Sequence, residues 1–163
     1  MPKPKLLAAL SLIPLTLGLT SCGSDRVEMT DSTWLVTNIY SSPDEANAVS
    51  DLVISQPSLD FGMASFSGFS SCVRFTGNAN FEKAGEKSTV TEADKVTFTD
   101  LDFDKLPDDC QGQELMIHDR MVEILPGTFD ISRKSDTEIL LTKDVDELDK
   151  PAIRLLSWVT PAP

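Results

Sequence analysis

The clearest pattern of apolar and polar positions in the chain is an alternation over residues 72–81. Apolar or small residues alternate with polar residues along this stretch, which gives a period of two. Such a period predicts an antiparallel strand with one face against a core and the other in water. The core-facing set is Val73, Phe75, Gly77, Ala79 and Phe81.

Stretches rich in β-branched and aromatic residues predict further strands on both sides of this one. Two of the turns between them are predicted at residues 84–86 and 134–136. Trp34 and Trp158 lie on the first and last strands, which we expect to pair and close the sheet. The Gly- and Ser-rich residues 65–71 predict close backbone approach or a strand bend. The other predicted strands are residues 33–40, 51–55, 58–61, 87–91, 95–99, 128–132, 137–142 and 152–159.

One segment breaks the strand pattern. In residues 113–125, Ile117, Met121 and Ile124 recur at helical spacing, and Pro126-Gly127 follows as a stop signal. This spacing predicts one amphipathic helix of about three turns. The predicted fold class is therefore mainly β with a single helix.

The beginning of the chain has the pattern of an export signal. Lys3 and Lys5 precede an apolar stretch over residues 6–19. That stretch suits a signal-peptide core and is shorter than the roughly 20 residues that a membrane-spanning helix needs. The small residues Thr20 and Ser21 then precede Cys22, as a signal peptidase requires.

The tetrapeptide Leu19-Thr20-Ser21-Cys22 resembles the lipobox of bacterial lipoproteins. The resemblance implies that residues 1–21 are a removed signal peptide and that Cys22 carries a diacylglyceryl group. Two acyl chains suffice for stable membrane attachment. The alternatives are an uncleaved membrane anchor and an ordinary secretory leader. We expect a tether over residues 22–32, a domain over 33–159 and a short tail over 160–163.

The charge balance narrows the classes of partner. The chain carries 14 Lys and Arg against 26 Asp and Glu, for a net charge of −12. This argues against a nucleic-acid-binding protein, for which a basic footprint is expected, and against a domain that lies flat on anionic lipid. Solubility explains the acidity; the alternative is a cationic partner, such as a basic protein face or a divalent metal.

Two cysteines remain when Cys22 is set aside, so Cys72 and Cys110 allow one intramolecular pairing. Export would place them in a compartment that permits disulfides. The bond would stabilise the fold by about 3–4 kcal/mol in the chain-entropy model. The alternative is two buried free thiols.

The order of elements carries a resemblance to a known family. It rests on a Trp-containing first strand at Thr33-Trp34-Leu35-Val36, Leu59-Asp60-Phe61, the Gly/Ser-rich run from Phe66 to Gly77, Cys110 with the helix after it, the hairpin over 127–141 and the final strand at 153–158. These features resemble the META, or HslJ-like, domain family, although Ser71 stands where Gly is usual and Val73 where Asn is usual. The resemblance implies a small antiparallel β-barrel-like fold with one packed helix. It also implies an exported or lipid-anchored protein linked to envelope stress, motility or drug tolerance, without a defined reaction.

Candidate catalytic and metal-binding residues are few. His118 is the only histidine, so a His-based metal cluster within one chain is excluded, and we expect an exposed or partly packed helix residue. The run Asp100-x-Asp102-x-Asp104 resembles the start of a calcium loop, but Lys105 and Gln111 stand where that loop needs Gly and Glu. The run is either a solvated strand face or a weak divalent-cation site with Asp108 and Asp109.

These observations favour a non-enzymatic module for binding or envelope maintenance, without a cofactor or catalytic residues. We expect it at the extracytoplasmic face of a cell membrane or envelope, attached through lipid on Cys22. A protein or peptide partner would bind at a sheet edge or at loops. The alternative is a carrier of a small apolar ligand inside the barrel. In the first case the eight Phe residues fill the core, and in the second some line a cavity.

Overall fold

The computed structural model describes residues 26–42, 47–50 and 52–158, so that the predicted signal peptide, Cys22 and the tail over 160–163 lie outside it. This part of the chain forms nine strands and one helix. They are β1 (Thr33–Tyr40), β2 (Ser58–Phe61), β3 (Ser65–Phe69), β4 (Arg74–Lys83), β5 (Glu86–Lys87), β6 (Lys95–Phe103), α1 (Gln113–Ile124), β7 (Gly127–Ser135), β8 (Glu138–Lys143) and β9 (Ala152–Ser157).

Eight of the strands close into an antiparallel barrel in which each pairs with its neighbours along the chain. The two-residue β5 only extends the hairpin from β4. The barrel closes where β9 pairs with β1, with Trp34 opposite Ser157. The Trp158 N–H donates to the Thr33 carbonyl at 2.8 Å. The predicted pairing of the terminal strands and the predicted fold class are confirmed.

The barrel interior is filled by the side chains that the alternation predicts. Along β4, Phe75, Ala79 and Phe81 are buried while the residues between them are mostly exposed. Six of the eight Phe side chains are buried. Their rings pack on one another, with centroids 4.3 Å apart for Phe66 and Phe98 and 5.6 Å for Phe98 and Phe129.

Several predicted boundaries are wrong. Residues 52–55 form turns rather than a strand, and of the predicted strand 87–91 only Lys87 is in one. Residues 65–69, for which we expect close approach or a bend, form β3. The close approach is nevertheless present, because a Cβ at Gly68 would meet the Ser58 carbonyl and lie 2.5 Å from the Phe75 ring.

The up-and-down topology gives the barrel two ends with different coverings. We call one the helix end; it consists of residues 41–42, 47–50, 52–57, 70–73, 104–126 and 144–151. We call the other the N-terminal end; it consists of residues 26–32, 62–64, 84–94, 136–137 and Trp158. Helix α1 covers the helix end and buries Ile117, Met121 and Ile124, so the predicted apolar stripe is confirmed.

The N-terminal end is covered by a segment that the sequence predicts as tether. Met29 in this segment is 1% exposed. Its carbonyl accepts a hydrogen bond from Trp34 Nε1 at 3.0 Å. The Val27 carbonyl accepts one from Arg133 Nη1 at 2.9 Å. The predicted tether is therefore too long, because residues 26–32 belong to the folded domain.

Candidate functional site

A groove of about 700 Å³ lies on the outer wall of the barrel. Its floor is formed by β8, β9 and neighbouring parts of β1 and β7, and the β8–β9 loop forms part of its rim. Residues from both ends of these strands contribute to it. The lining residues are Tyr40, Ser41, Ser42, Asn47, Lys134, Glu138, Leu140, Thr142, Leu148, Asp149, Lys150, Ala152 and Arg154.

The period of two places the floor residues on one face. In β8, Ile139 and Leu141 point into the core and are fully buried. Glu138, Leu140 and Thr142 therefore point outward. The register sets Leu140 opposite Arg154 and Thr142 opposite Ala152. The groove floor thus combines apolar side chains with a charge pair.

That charge pair joins β8 to β9. Arg154 Nε donates to Glu138 Oε1 at 2.7 Å, and Nη2 lies 2.7 Å from the same oxygen. The hydrogen bond with Glu138 raises the pKa of the Arg154 guanidinium above its ordinary value. Lys134, Asp149 and Lys150 add charges of both signs. A ligand that suits the groove carries apolar groups together with a charged or hydrogen-bonding group.

His118 is more deeply buried than we expect, at 8% exposure. Its Nδ1 lies 2.7 Å from Ser70 Oγ, and its ring makes an edge contact with Phe103. His118, Met121 and Leu125 follow one another at helical spacing, so this side of α1 faces the barrel. That spacing was the available signal for its burial.

The Ser70–His118 contact is buried, and Ser70 makes further hydrogen bonds within its own turn. Ser70 is fully buried. Its Oγ donates to the Val73 carbonyl at 3.0 Å and also lies within hydrogen-bonding distance of the Val73 N–H. A nucleophile must reach a substrate carbonyl while it contacts its base. In this structure the Ser70 hydroxyl does not reach the surface.

The side chains of the turn between β3 and β4 contact three other parts of the helix end. Ser70 contacts α1 through His118, as described above. Ser71 Oγ donates to the Ser55 carbonyl at 2.9 Å. Cys72 and Cys110 lie at disulfide distance, with their Cα atoms 5.7 Å apart. The turn therefore reaches α1, the β1–β2 connection and the β6–α1 connection through consecutive side chains.

The acidic run lies on exposed positions of β6 and just after it. Asp100, Asp102 and Asp104 are exposed, while Leu101 and Phe103 between them are partly buried against the core. Asp100 Oδ2 accepts a hydrogen bond from Asn78 Nδ2 at 2.8 Å. Asp108 and Asp109 are exposed in the following turn. These carboxylates therefore lie on a solvent-exposed face. Within the part of the chain that the structure describes, no group of three or more His, Cys, Asp or Glu side chains is placed to hold a metal ion.

The groove was not predicted from the sequence, because its parts are far apart along the chain. The available signal was Leu140, an apolar residue in the outward phase of β8. Each barrel strand has a partner on both sides, so the outer wall and the loops offer more for recognition than the predicted sheet edge.

In the described part of the chain, α1 lacks the length and apolar character of a membrane-spanning helix.

Comparison with known proteins gives information on the fold. No family model matches the sequence, and no curated protein matches it. The structure is similar to an NMR structure of a protein from Burkholderia xenovorans, with a TM-score of 0.57 and 17% sequence identity over 98% of this chain and 100% of that chain. At this identity the likeness concerns the fold alone.

Proposed function

We propose that this protein is a non-enzymatic binding module, anchored by lipid on Cys22 at the extracytoplasmic face of a membrane. The observation that carries the binding role is the groove on the outer wall. Pockets that combine an apolar floor with a few placed polar groups are typical of ligand sites. The burial of Ser70 and His118 against each other supports a role other than catalysis.

The leader pattern supports the anchor, and the cysteine pair fits an exported protein. Disulfides form and persist outside the cytoplasm, and Cys72 lies at bonding distance from Cys110. The first residue seen packed on the barrel is close to Cys22 along the chain. A lipid there would hold the domain near the membrane surface.

We further propose that the domain is META- or HslJ-like. A closed antiparallel barrel with one helix agrees with what this resemblance implies. Ser71 offers a second point of agreement. Its φ is +80°, which is the left-handed region that favours glycine, and the resemblance places Gly at this position. Ser71 thus replaces the expected Gly but keeps a backbone conformation that favours glycine.

For the groove ligand we propose an extended segment of a protein or peptide. Its apolar side chains would contact Leu140 and Ala152, and a charged group would compete for Glu138 or Arg154. A cationic group would pair with Glu138, whose side chain is 18% exposed. The acidic loop beside the groove, residues 144–150, would favour the same sign of charge.

Two experiments test this function. Intact mass of the membrane-extracted protein is expected to show a chain that begins at Cys22 with acyl groups attached. A protein that still starts at Met1, or a form that lacks Cys22, contradicts the anchor.

The groove is tested by a photoreactive amino acid in place of Thr142, with Asn80 as the matched control on the opposite wall. Asn80 is exposed on β4 and lies outside the groove lining. We expect a crosslinked partner from position 142 in intact cells, and weaker crosslinking after Glu138→Gln. Equal adducts from both positions, or none from position 142, contradict binding in the groove.

A further inference from the structure

Among the described residues, two large apolar side chains are exposed at the N-terminal end of the barrel. Trp158 is 61% exposed and Met63 is 84% exposed. Trp158 continues from β9 beside the first strand, and its carbonyl accepts a hydrogen bond from Ser32 Oγ at 3.2 Å. Met63 lies in the turn after β2, which also pairs with the beginning of β1. Both side chains therefore flank the segment through which the chain enters the barrel.

The length of chain before that segment limits where this end can lie. Arg26 Nη2 donates to the Thr91 carbonyl at 3.1 Å, so the first described residue already contacts the barrel at this end. Only residues 23–25 separate it from Cys22. An extended chain spans at most about 3.6 Å per residue, so the two Cα atoms are at most about 14 Å apart. A lipid on Cys22 brings the N-terminal end, rather than the helix end, to the membrane.

Charge distribution favours the same arrangement. At the helix end, residues 104–126 and 144–151 contain ten acidic and three basic residues. At the N-terminal end, residues 26–32, 62–64, 84–94 and 136–137 contain six acidic and two basic residues. Anionic headgroups repel the helix end more strongly, since the lipid surface acts on charges within about a Debye length.

We propose that the N-terminal end of the barrel docks on the lipid bilayer, with Trp158 and Met63 inserted among the headgroups. This inference rests on the proposed lipid anchor and adds an orientation to it. Tryptophan suits such a position because its ring is apolar and its indole N–H is polar. The barrel then stands with α1 and the acidic loops directed away from the membrane, where a soluble partner can reach them.

The two tryptophans make this orientation measurable. Trp34 is fully buried in the core, so only Trp158 can contact lipid. The chain from Cys22 onward, which includes every described residue, is coupled through Cys22 to a maleimide-bearing diacyl lipid. It is then placed on phosphatidylcholine vesicles with or without brominated acyl chains. We expect bromolipid to quench the Trp158 share of the emission, and Trp158→Phe to abolish that quenching.

Matched variants separate docking from simple proximity. Met63→Glu is expected to reduce the quenching of Trp158, while Leu52→Glu at the helix end leaves it unchanged. These residues are comparably exposed, at 84% and 87%. A Trp158→Phe, Met116→Trp protein carries its reporter on α1 and is expected to show no quenching.

Equal emission of the wild-type protein in both kinds of vesicle overturns the proposal, and so does equal quenching of the reporter on α1. A blue shift of Trp158 that depends on protein concentration without vesicles would identify a second copy as the occupant and also overturn it. Because the anchor is supplied chemically, these outcomes do not depend on whether cells acylate Cys22. The mass of the membrane-extracted protein answers that question separately.

Discussion

The two ends of the barrel are closed by different means. The helix end is covered by α1 and fastened by the side chains of one short turn, Ser70 to Cys72. The N-terminal end is covered by residues 26–32, whose backbone carbonyls accept hydrogen bonds from Trp34 and Arg133. The difference teaches that a barrel of this size can be covered by a helix between two strands or by the irregular segment through which the chain enters the first strand. Among the described residues, a cysteine pair at disulfide distance is found at the helix end and not at the N-terminal end.

The largest expected effect concerns that cysteine pair. Replacing Cys72 and Cys110 by Ala is expected to lower the free energy of unfolding by about 3–4 kcal/mol, because the pair closes a long loop. Denaturant unfolding of the oxidised protein, the reduced protein and the double variant measures it. Reduction should reproduce the effect of the double variant. Unchanged stability in all three forms would show that the pair is not bonded.

A slightly smaller effect is expected from substitutions in the two segments that cover the barrel ends, residues 26–32 and α1. Met29 and Met121 are 1% and 0% exposed, so Met29→Ala and Met121→Ala each remove a buried side chain and should cost about 2–4 kcal/mol. Met63→Ala and Met116→Ala are the matched controls, because both residues are exposed, and should change stability by less than about 0.5 kcal/mol. If Met29→Ala left the stability unchanged, residues 26–32 would be a tether, as the sequence predicts, and not part of the folded domain.

A third comparison uses one residue with positive φ at each end. Ser71 has φ +80° at the helix end, and Ala84 has φ +52° in a turn at the N-terminal end. Ala84→Gly is expected to stabilise the protein by about 1 kcal/mol, since it relieves the left-handed conformation. Ser71→Gly should be more stable than Ser71→Ala by a similar amount, while both lose the hydrogen bond to the Ser55 carbonyl. Thermal unfolding of the three variants measures this, and equal stability of the two Ser71 variants would contradict it.

The smallest expected effect concerns an ion pair between residues that belong to opposite ends of the barrel. Lys95, which follows the hairpin of the N-terminal end, pairs with Asp144 of the helix end at 2.6 Å and with Asp130 at 3.2 Å. The hydrogen bond from Lys95 holds the pKa of Asp144 below its ordinary value of 3.8. The hydrogen bond to Asp144 raises the pKa of Lys95 above 10.5.

A lowered pKa of Asp144 means that its stabilising contribution is present above pH 3.8 and is lost as the pH falls through the pKa of the folded state. The raised pKa of Lys95 gives a contribution present below pH 10.5 that is lost at higher pH. NMR titration of the Asp144 carboxyl in the wild type and in Lys95→Met measures the shift. An Asp144 pKa that is the same in both proteins contradicts the pairing. Salt should reduce the shift of the Asp144 pKa, because both side chains are at least partly exposed to solvent.

The elements with a regular pattern could be predicted, and those that depend on contacts distant in sequence could not. The alternation of β4 and the helical spacing of α1 are properties of adjacent residues, so both are placed nearly correctly. Residues 65–69 form a strand despite their Gly and Ser content, because β2 and β4 pair with them on both sides. The polar sequence around Met29 predicts a tether. The hydrogen bonds from Trp34 and Arg133 that hold this segment on the barrel come from residues that the local pattern does not include. The groove needs four strands at once, and no local pattern encodes it.

The pairing of β1 with β9 has a consequence for how the protein is completed. A chain that emerges from its N-terminus presents β1 first, and the partner that closes the barrel comes last, more than a hundred residues later. Until then β1 and the growing edge both carry unpaired backbone groups, which invite pairing with other chains. Closure is therefore a late, long-range event. Loss of the last strand would leave an open sheet instead of a smaller barrel.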